Sequence, residues 1–175
     1  MRIVVVSHSF AQHVCPFFSS SFFDADKGWL SQPPISGEFK GETAGGCTNY
    51  PSVKDNPQFL LTVTEPTTVV INMSQTDSRG TSEKLKAIGL EVYSNKGVRI
   101  TRTRTGPLIC SNPEGYIFRR EISLEHKFVP TPEPYTVLIS TFDANQETKW
   151  ALQVFSDKPI KFELAPPVKT NAAKK

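Results

Sequence analysis

Short segments in which apolar and polar residues alternate recur through most of this chain. In residues 88–93, the apolar residues Ile88, Leu90 and Val92 would share one face, because successive side chains of a strand point to opposite sides. Comparable segments, alternating or rich in strand-forming residues, are 58–64, 67–73, 98–104, 116–122, 135–142, 149–155 and 160–164. The pattern therefore predicts about eight strands.

Turn-forming residues separate these segments. Glu65 and Pro66 lie between two of them, and residues 95–97 (Asn-Lys-Gly) and 112–115 (Asn-Pro-Glu-Gly) are typical of tight turns. Only residues 81–87 have a helical pattern, and it is short. Short strands at regular spacing predict an all-β fold, an eight-stranded antiparallel β-sandwich.

The pattern divides the chain into three parts. Residues 1–36 cluster phenylalanines around serines without a clear period, and we expect an irregular segment that either packs loosely or derives from a longer parent chain. Residues 37–165 carry the strand pattern and form the predicted sandwich domain. Residues 166–175 lose the period and end in two lysines, which predicts a solvated basic tail.

Composition narrows the functional classes. A length of 175 residues with 38% hydrophobic and 21% charged residues is typical of one globular domain. A net charge of +3 is too small to indicate nucleic acid as a partner. No apolar run approaches the ~20 residues of a membrane span, and the run at residues 3–6 is too short for a secretory signal. We therefore expect an intracellular, cytoplasmic protein, with peripheral membrane contact left open.

The cysteines raise the question of catalysis. The chain has three cysteines, Cys15, Cys47 and Cys110, and their spacing matches no metal motif. Because their number is odd, reduced thiols are the simplest interpretation. Cys47 follows two glycines, and it is either a nucleophile served by one of three histidines or a small buried side chain behind a turn. The histidines are His8, His13 and His126. The glycines lead into no phosphate-loop sequence, so we expect them to supply positive-φ backbone or a close approach.

Two charged features are candidates for binding. Basic residues alternate along the predicted strand 98–104 and recur near residue 120, and they are candidate contacts for anionic lipid or an acidic partner: Arg99, Arg102, Arg104, Arg119 and Arg120. The alternative is a solvated strand face whose charges discourage edge-to-edge pairing. Asp143 and Glu147 flank a loop and are weak candidates for calcium, the one cofactor we consider; the alternative is an ordinary hairpin loop.

Several ordered motifs resemble domain III of the calpain family between residues 29 and 164. The first group comprises residues 43–47 (Thr-Ala-Gly-Gly-Cys), 49–51 (Asn-Tyr-Pro) and 56–59 (Asn-Pro-Gln-Phe). Later segments that are similar to the family, in the same order, are residues 88–93, 120–123, Tyr135, 140–147 and 150–157. Because the motifs occur in order, the resemblance is far more specific than any single one.

The resemblance implies a C2-like β-sandwich that follows a papain-like protease core in calpains and has regulatory, phospholipid-contacting or docking roles. Gly45, Gly46, Cys47 and Asn49 would belong to a structural motif, and no catalytic residue is expected, because the Gly-Asp-Cys-Trp context of the calpain nucleophile is absent. Implied partners are a protease core, another protein or an anionic membrane. The connection at Glu65 and Pro66 is much shorter than the acidic loop of many animal calpains, which weakens the expectation of a calcium switch.

Three further hypotheses remain beside the regulatory module. The first is a cysteine hydrolase that uses Cys47 or Cys15 with a histidine. The others are a fragment of an intact calpain-type cysteine endopeptidase, with its catalytic core elsewhere, and a purely structural brace for such a core.

Overall fold

The computed structural model describes residues 4–5, 28–77, 79–80 and 84–167. These residues form two six-stranded antiparallel sheets. The first sheet has the order β1-β3-β11-β5-β9, and β2 also pairs with β11. Its strands are β1 (Val4–Val5), β2 (Leu30–Ser31), β3 (Ile35–Phe39), β5 (Thr67–Gln75), β9 (Glu121–Phe128) and β11 (Thr148–Ser156).

The second sheet has the order β12-β4-β10-β6-β7, and β8 pairs with β6. Its strands are β4 (Gln58–Val63), β6 (Ala87–Tyr93), β7 (Leu108–Ser111), β8 (Ile117–Phe118), β10 (Tyr135–Thr141) and β12 (Ile160–Leu164). Two short 3-10 turns, Gly41–Thr43 and Pro51–Asp55, precede β4. From β3 onward most successive strands lie in opposite sheets, so the chain crosses the sandwich repeatedly.

The inward faces of the two sheets enclose one hydrophobic core. Trp150 of β11 is fully buried at one end, with its ring centroid 6.2 Å from those of Phe39 and Phe59. A Cβ atom at Gly37 would lie 2.6 Å from the Trp150 ring, so only glycine lets β3 pass this indole. The alternation of β6 is as predicted, since Ile88, Leu90 and Val92 all belong to this core.

The predicted all-β sandwich is confirmed, but its strands differ in part from the prediction. Eight strands have five residues or more, namely β3, β4, β5, β6, β9, β10, β11 and β12. β3 begins at Ile35 and so includes the end of the segment 1–36 that we expected to be irregular. The helical candidate at 81–87 falls partly outside the described residues, and Ala87 already belongs to β6.

Two predicted strands are wrong. Residues 98–104 contain no strand, only a bridge between Thr101 and Arg104, because positive φ angles at Lys96 and Gly97 turn the chain away from β6. Residues 116–122 do not form one strand either. Ile117 and Phe118 pair with β6 in the second sheet, whereas the strand from Glu121 pairs with β5 in the first.

Candidate functional site

Part of the outer face of the second sheet is covered by two irregular segments, residues 41–57 and 95–106, which we call the cover. Leu138 of β10 points outward, because its neighbours in the strand point into the core. Leu138 is nevertheless fully buried, in a second cluster with Tyr93 of β6 and with Val53 and Ile100 of the cover. The apolar position at 100 therefore reflects packing of a loop against a sheet.

A buried glutamine joins both parts of the cover to the sheet. The Gln58 side chain at the start of β4 donates hydrogen bonds to the carbonyl oxygens of Val53 and Ile100, at 3.2 and 3.0 Å. Its amide oxygen accepts one from the Ile100 N–H at 2.7 Å. Asn95 fixes the start of the second segment in the same way, donating to the Val98 and Arg99 carbonyls and accepting from the Gly106 N–H.

The two glycines before Cys47 have separate structural reasons. Gly46 has φ of 76°, and a Cβ there would lie 2.6 Å from the backbone nitrogen of Ala144. A Cβ on Gly45 would overlap the backbone carbonyl of Ser52. The fully buried Asn56 side chain accepts a hydrogen bond from the Gly45 N–H at 2.8 Å and donates one to the Gly46 carbonyl at 2.6 Å. The two predicted alternatives both occur: Gly46 has positive φ, and other backbone closely approaches both glycines.

Cys47 is a packed residue of this segment. It is 3% exposed, and its N–H donates to the Phe142 carbonyl in the β10–β11 loop. The same loop donates back, from the Asn145 N–H to the Ala44 carbonyl at 2.7 Å. The interpretation of Cys47 as a small buried side chain is therefore confirmed, whereas Asn49, from the same motif, is exposed.

A polar network around Glu91 lies on the second sheet beside the cover. The Tyr116 hydroxyl donates to the Glu91 carboxylate at 3.0 Å and lies 2.7 Å from the Ser140 hydroxyl. The Tyr93 hydroxyl interacts with both Glu91 and Thr48. Burial raises the pKa of Glu91, although its hydrogen bonds from the two tyrosines oppose that shift. Gly89 makes room for this arrangement, since a Cβ there would lie 2.5 Å from the Tyr116 ring.

Arg99, predicted to be an exposed contact, is a structural residue of the cover. Its guanidinium donates to the Lys54 carbonyl at 3.0 and 3.1 Å, to the Asn56 carbonyl, and to the Ala165 carbonyl at 3.1 Å. Burial lowers its pKa from the ordinary value. Arg99 therefore connects both segments of the cover to the end of β12.

Arg102 and Arg104 lie at the tip of the cover. Thr101 and Arg104 exchange backbone hydrogen bonds at 3.0 and 3.1 Å, so residues 102 and 103 form the end of a tight turn. Both arginines are exposed, and neither side chain forms an ion pair or hydrogen bond with the described part of the chain. This tip is the part of the predicted basic stripe that remains available to a ligand.

Arg119 and Arg120 lie elsewhere, on the crossing from β8 to β9, and both have acidic partners. Arg119 pairs with Glu114 at 2.8 Å, and Arg120 pairs with Asp77 at 3.3 Å. Asp77 also binds Arg79, and these hydrogen bonds, that of Arg79 foremost, lower its pKa strongly. The five predicted arginines therefore do not form one patch. Arg102 and Arg104 are exposed at the tip of the cover, Arg99 is hydrogen-bonded at its base, and the other two form ion pairs between β8 and β9.

The two calcium candidates both hold residues of the cover. The Asp143 carboxylate accepts a hydrogen bond from the Tyr50 hydroxyl at 3.1 Å, which is the main reason why the Tyr50 pKa is raised. The Glu147 carboxylate accepts one from the Gly41 N–H at 3.0 Å. Within the described ranges no group of three or more His, Cys, Asp or Glu side chains is arranged for a metal. Calcium binding here stays a prediction.

The described residues contain no thiol–imidazole pair. His126 lies on β9 of the first sheet, with its ring 4.8 Å from that of Phe128, and it forms no hydrogen bond with Cys47 in the described chain. Burial raises the pKa of Cys110 to about 12, which suppresses its thiolate. Cys15, His8 and His13 lie outside the described residues.

Comparison with known proteins assigns this fold to a family. The sequence model for "Calpain large subunit, domain III" matches residues 35–155, which include β3 to β10 and most of β11. The chain belongs to the calpain domain III family. Two of the segments that carry the resemblance in the sequence, residues 43–59 and 140–147, build the cover and its contacts. In the described residues of this calpain domain III, no helix has the length and apolar character needed to cross a membrane.

Relatives of this calpain domain III carry different overall names. A "Calpain-type cysteine protease ADL1" from Oryza sativa subsp. japonica is 32% identical over 150 residues, 74% of this chain and 7% of that protein. A "Serine/threonine-protein kinase 4 homolog B" from Dictyostelium discoideum is 35% identical over 133 residues, 72% of this chain and 11% of that protein. A "Calpain-like protease palB/cpr-8" from Neurospora crassa is 30% identical, covering 79% of this chain and 16% of that protein. The chain thus spans less than a fifth of each.

Several residues that build the site had no assigned role in the sequence analysis. Asn56 and Gln58 lie in the quoted Asn-Pro-Gln-Phe motif, and two amides directly before an apolar strand are a signal for buried hydrogen bonding. Glu91 and Tyr116 form part of the network but have no comparable signal, because their contact depends on β8 pairing with β6.

Replacing Asn56 with alanine should destabilise the domain. Asn56→Ala leaves the buried Gly45 N–H and Gly46 carbonyl without partners, for an expected loss of about 1–3 kcal/mol in the free energy of unfolding. Urea unfolding of both proteins measures the difference. Asn49→Ala, at an exposed asparagine of the same segment, should change the free energy of unfolding little. Equal effects of the two substitutions would contradict the assigned role.

Replacing Glu91 with glutamine should change the pH dependence of stability. Because the folded pKa of Glu91 is raised above 4.5, its contribution to stability is lost as pH rises through the folded value. A glutamine side chain at this position would be neutral throughout and would still accept the Tyr116 hydrogen bond. The unfolding free energy of Glu91→Gln relative to the wild type should therefore increase from acidic to neutral pH, measured by urea titration. Glu125→Gln, at an exposed carboxylate of β9, is the control. A pH-independent difference for Glu91→Gln would refute the burial argument.

The two described thiols should react slowly in the folded chain. Cys47 is buried and the pKa of Cys110 is about 12, so iodoacetamide at neutral pH should modify neither before unfolding in urea. Peptide mass mapping distinguishes them from Cys15. Rapid modification of Cys47 in the native chain would instead indicate an accessible, activated nucleophile.

Proposed function

We propose that this calpain domain III is a non-catalytic regulatory and docking module whose basic tip, formed by Arg102 and Arg104, binds anionic phospholipid. The observation that carries the proposal is the availability of these two guanidinium groups, which are exposed at a tight turn and unpaired within the described chain. Cations near an anionic membrane surface contribute about 1 kcal/mol each to binding.

The cover is what makes the tip suitable for docking. Arg99 and Gln58 fix its base through buried hydrogen bonds, so the two arginines are held on a supported loop. Supported loops on β-sandwiches commonly carry binding functions. Arg99 itself is excluded from the proposed contact, because its donors are occupied by Lys54, Asn56 and Ala165. Arg119 and Arg120 contribute less, because their charges are already paired.

We further propose that the module belongs to a larger protein, a calpain-type cysteine protease or another protein that uses the domain for regulation. The names of the rice and Neurospora relatives favour the protease. The name of the Dictyostelium relative, a protein kinase, supports a role that does not depend on a protease core. Peptide hydrolysis by this chain alone is disfavoured by the burial of Cys47. Calcium at Asp143 and Glu147 would be a regulatory addition, because both carboxylates fasten the cover.

Liposome co-sedimentation tests the lipid proposal. The wild-type chain should bind vesicles containing phosphatidylserine more tightly than neutral phosphatidylcholine vesicles, and raised salt should weaken the difference. Arg102→Gln combined with Arg104→Gln should lower the affinity for acidic vesicles about tenfold or more. The control pair, Lys127→Gln with Lys149→Gln, removes the same charge from exposed positions of the first sheet and should have a smaller effect. Equal binding to neutral and acidic vesicles, or equal losses for both pairs, would overturn the proposal.

A further inference from the structure

A surface groove on the second sheet differs from the basic tip, because aromatic rings and a carboxylate line it. Where β8 meets the β10–β11 loop, a groove of about 430 Å³ opens on the surface. It is lined by Ala87, Tyr116, Phe118, Phe142, Asp143 and Gln146. None of these residues is a lysine or arginine, and the tip residues Arg102 and Arg104 do not contribute to it.

Aromatic rings dominate this groove. Phe118 is 71% exposed and Phe142 is 43% exposed. The ring of Tyr116 stands edge-on to that of Phe142, with 5.5 Å between centroids and 66° between planes. The face of an aromatic ring is electrostatically negative, so exposed rings around one concavity favour a cationic group as well as an apolar one.

A carboxylate adds negative charge at the same place. Asp143 lines the groove, accepts a hydrogen bond from the neutral Tyr50 hydroxyl, and forms no ion pair with the described residues. A second carboxylate, Glu91, accepts a hydrogen bond from the Tyr116 hydroxyl behind the ring. A purely apolar ligand would desolvate the Asp143 charge without compensating it, and an acidic ligand would be repelled.

We propose that this groove binds an arginine side chain presented by a partner protein. The arginine methylenes pack against Phe118, and the guanidinium lies against the aromatic rings while donating hydrogen bonds to the Asp143 carboxylate. Arginine fits better than lysine, because its planar cation stacks on rings and pairs with a carboxylate through two parallel hydrogen bonds. The groove shares no lining residue with the basic tip, so this site stands or falls independently of lipid binding.

The test is a peptide titration of the full ¹⁵N-labelled chain followed by NMR. The probe is the capped peptide acetyl-Gly-Leu-Arg-Leu-Gly-amide, and the matched probe carries citrulline, a neutral analogue of the same shape, in place of arginine. The arginine peptide should shift the amide signals of residues 87, 116–118 and 142–146. The citrulline peptide should bind about threefold or more weakly, because it lacks the cation.

Two variants locate the interaction. Asp143→Asn removes the charge but keeps an acceptor for the Tyr50 hydroxyl, and it should weaken binding of the arginine peptide without affecting that of the citrulline peptide. Phe118→Ser, at an exposed ring, should weaken both peptides. Asp157→Asn is the matched control, since Asp157 also accepts one hydrogen bond, from the Thr68 N–H.

Equal affinity for the two peptides, shifts confined to other surfaces, or no binding at millimolar peptide would overturn the proposal. The spectrum of each variant reports its own folding. If Phe118→Ser fails to fold, Asp143→Asn and the citrulline peptide still decide the question.

Discussion

Burial of side-chain amides beneath the cover is the constraint on which the functional surface depends. A sandwich needs only one apolar face per sheet, yet here part of the outer face of the second sheet, around Tyr93 and Leu138, is also shielded from water. Irregular backbone can be buried only if its polar groups find partners. Asn56, Gln58 and Asn95 supply those partners, each holding backbone groups of the cover with both its oxygen and its nitrogen. The placement of Arg102 and Arg104 at the tip of the cover depends on these bonds.

Much of the fold could be predicted from the sequence, because strand alternation reports which side chains are buried. The alternation of residues 88–93 gave the correct inward face of β6. The same signal at residues 98–104 was misleading. Ile100 lies in a loop that packs on the sheet, and it is buried there without pairing with a strand. Alternation detects burial on one side, and it does not reveal whether backbone hydrogen bonds go to a strand or to an amide side chain.

The candidate site was predicted only in part, for a related reason. Arg102 and Arg104 were placed on a surface by the alternation of a predicted strand, whereas the interior role of Arg99 depends on carbonyl groups of residues 54, 56 and 165 that are distant in sequence. Phe118 and Phe142 lie in the predicted strands 116–122 and 135–142, which are far apart in sequence. Their meeting at one groove follows from the pairing of β8 with β6 and of β6 with β10, which no local pattern encodes.

The repeated crossing between sheets has a consequence for how the domain is made. Because neighbouring segments of sequence seldom pair with each other, few hairpins are available to form early, and most backbone pairing must await distant parts of the chain. β11 illustrates this, since it binds β3 and β5 from the opposite end of the domain. Assembly during synthesis therefore waits until β11 has left the ribosome, and exposed strand edges need protection from other chains until then.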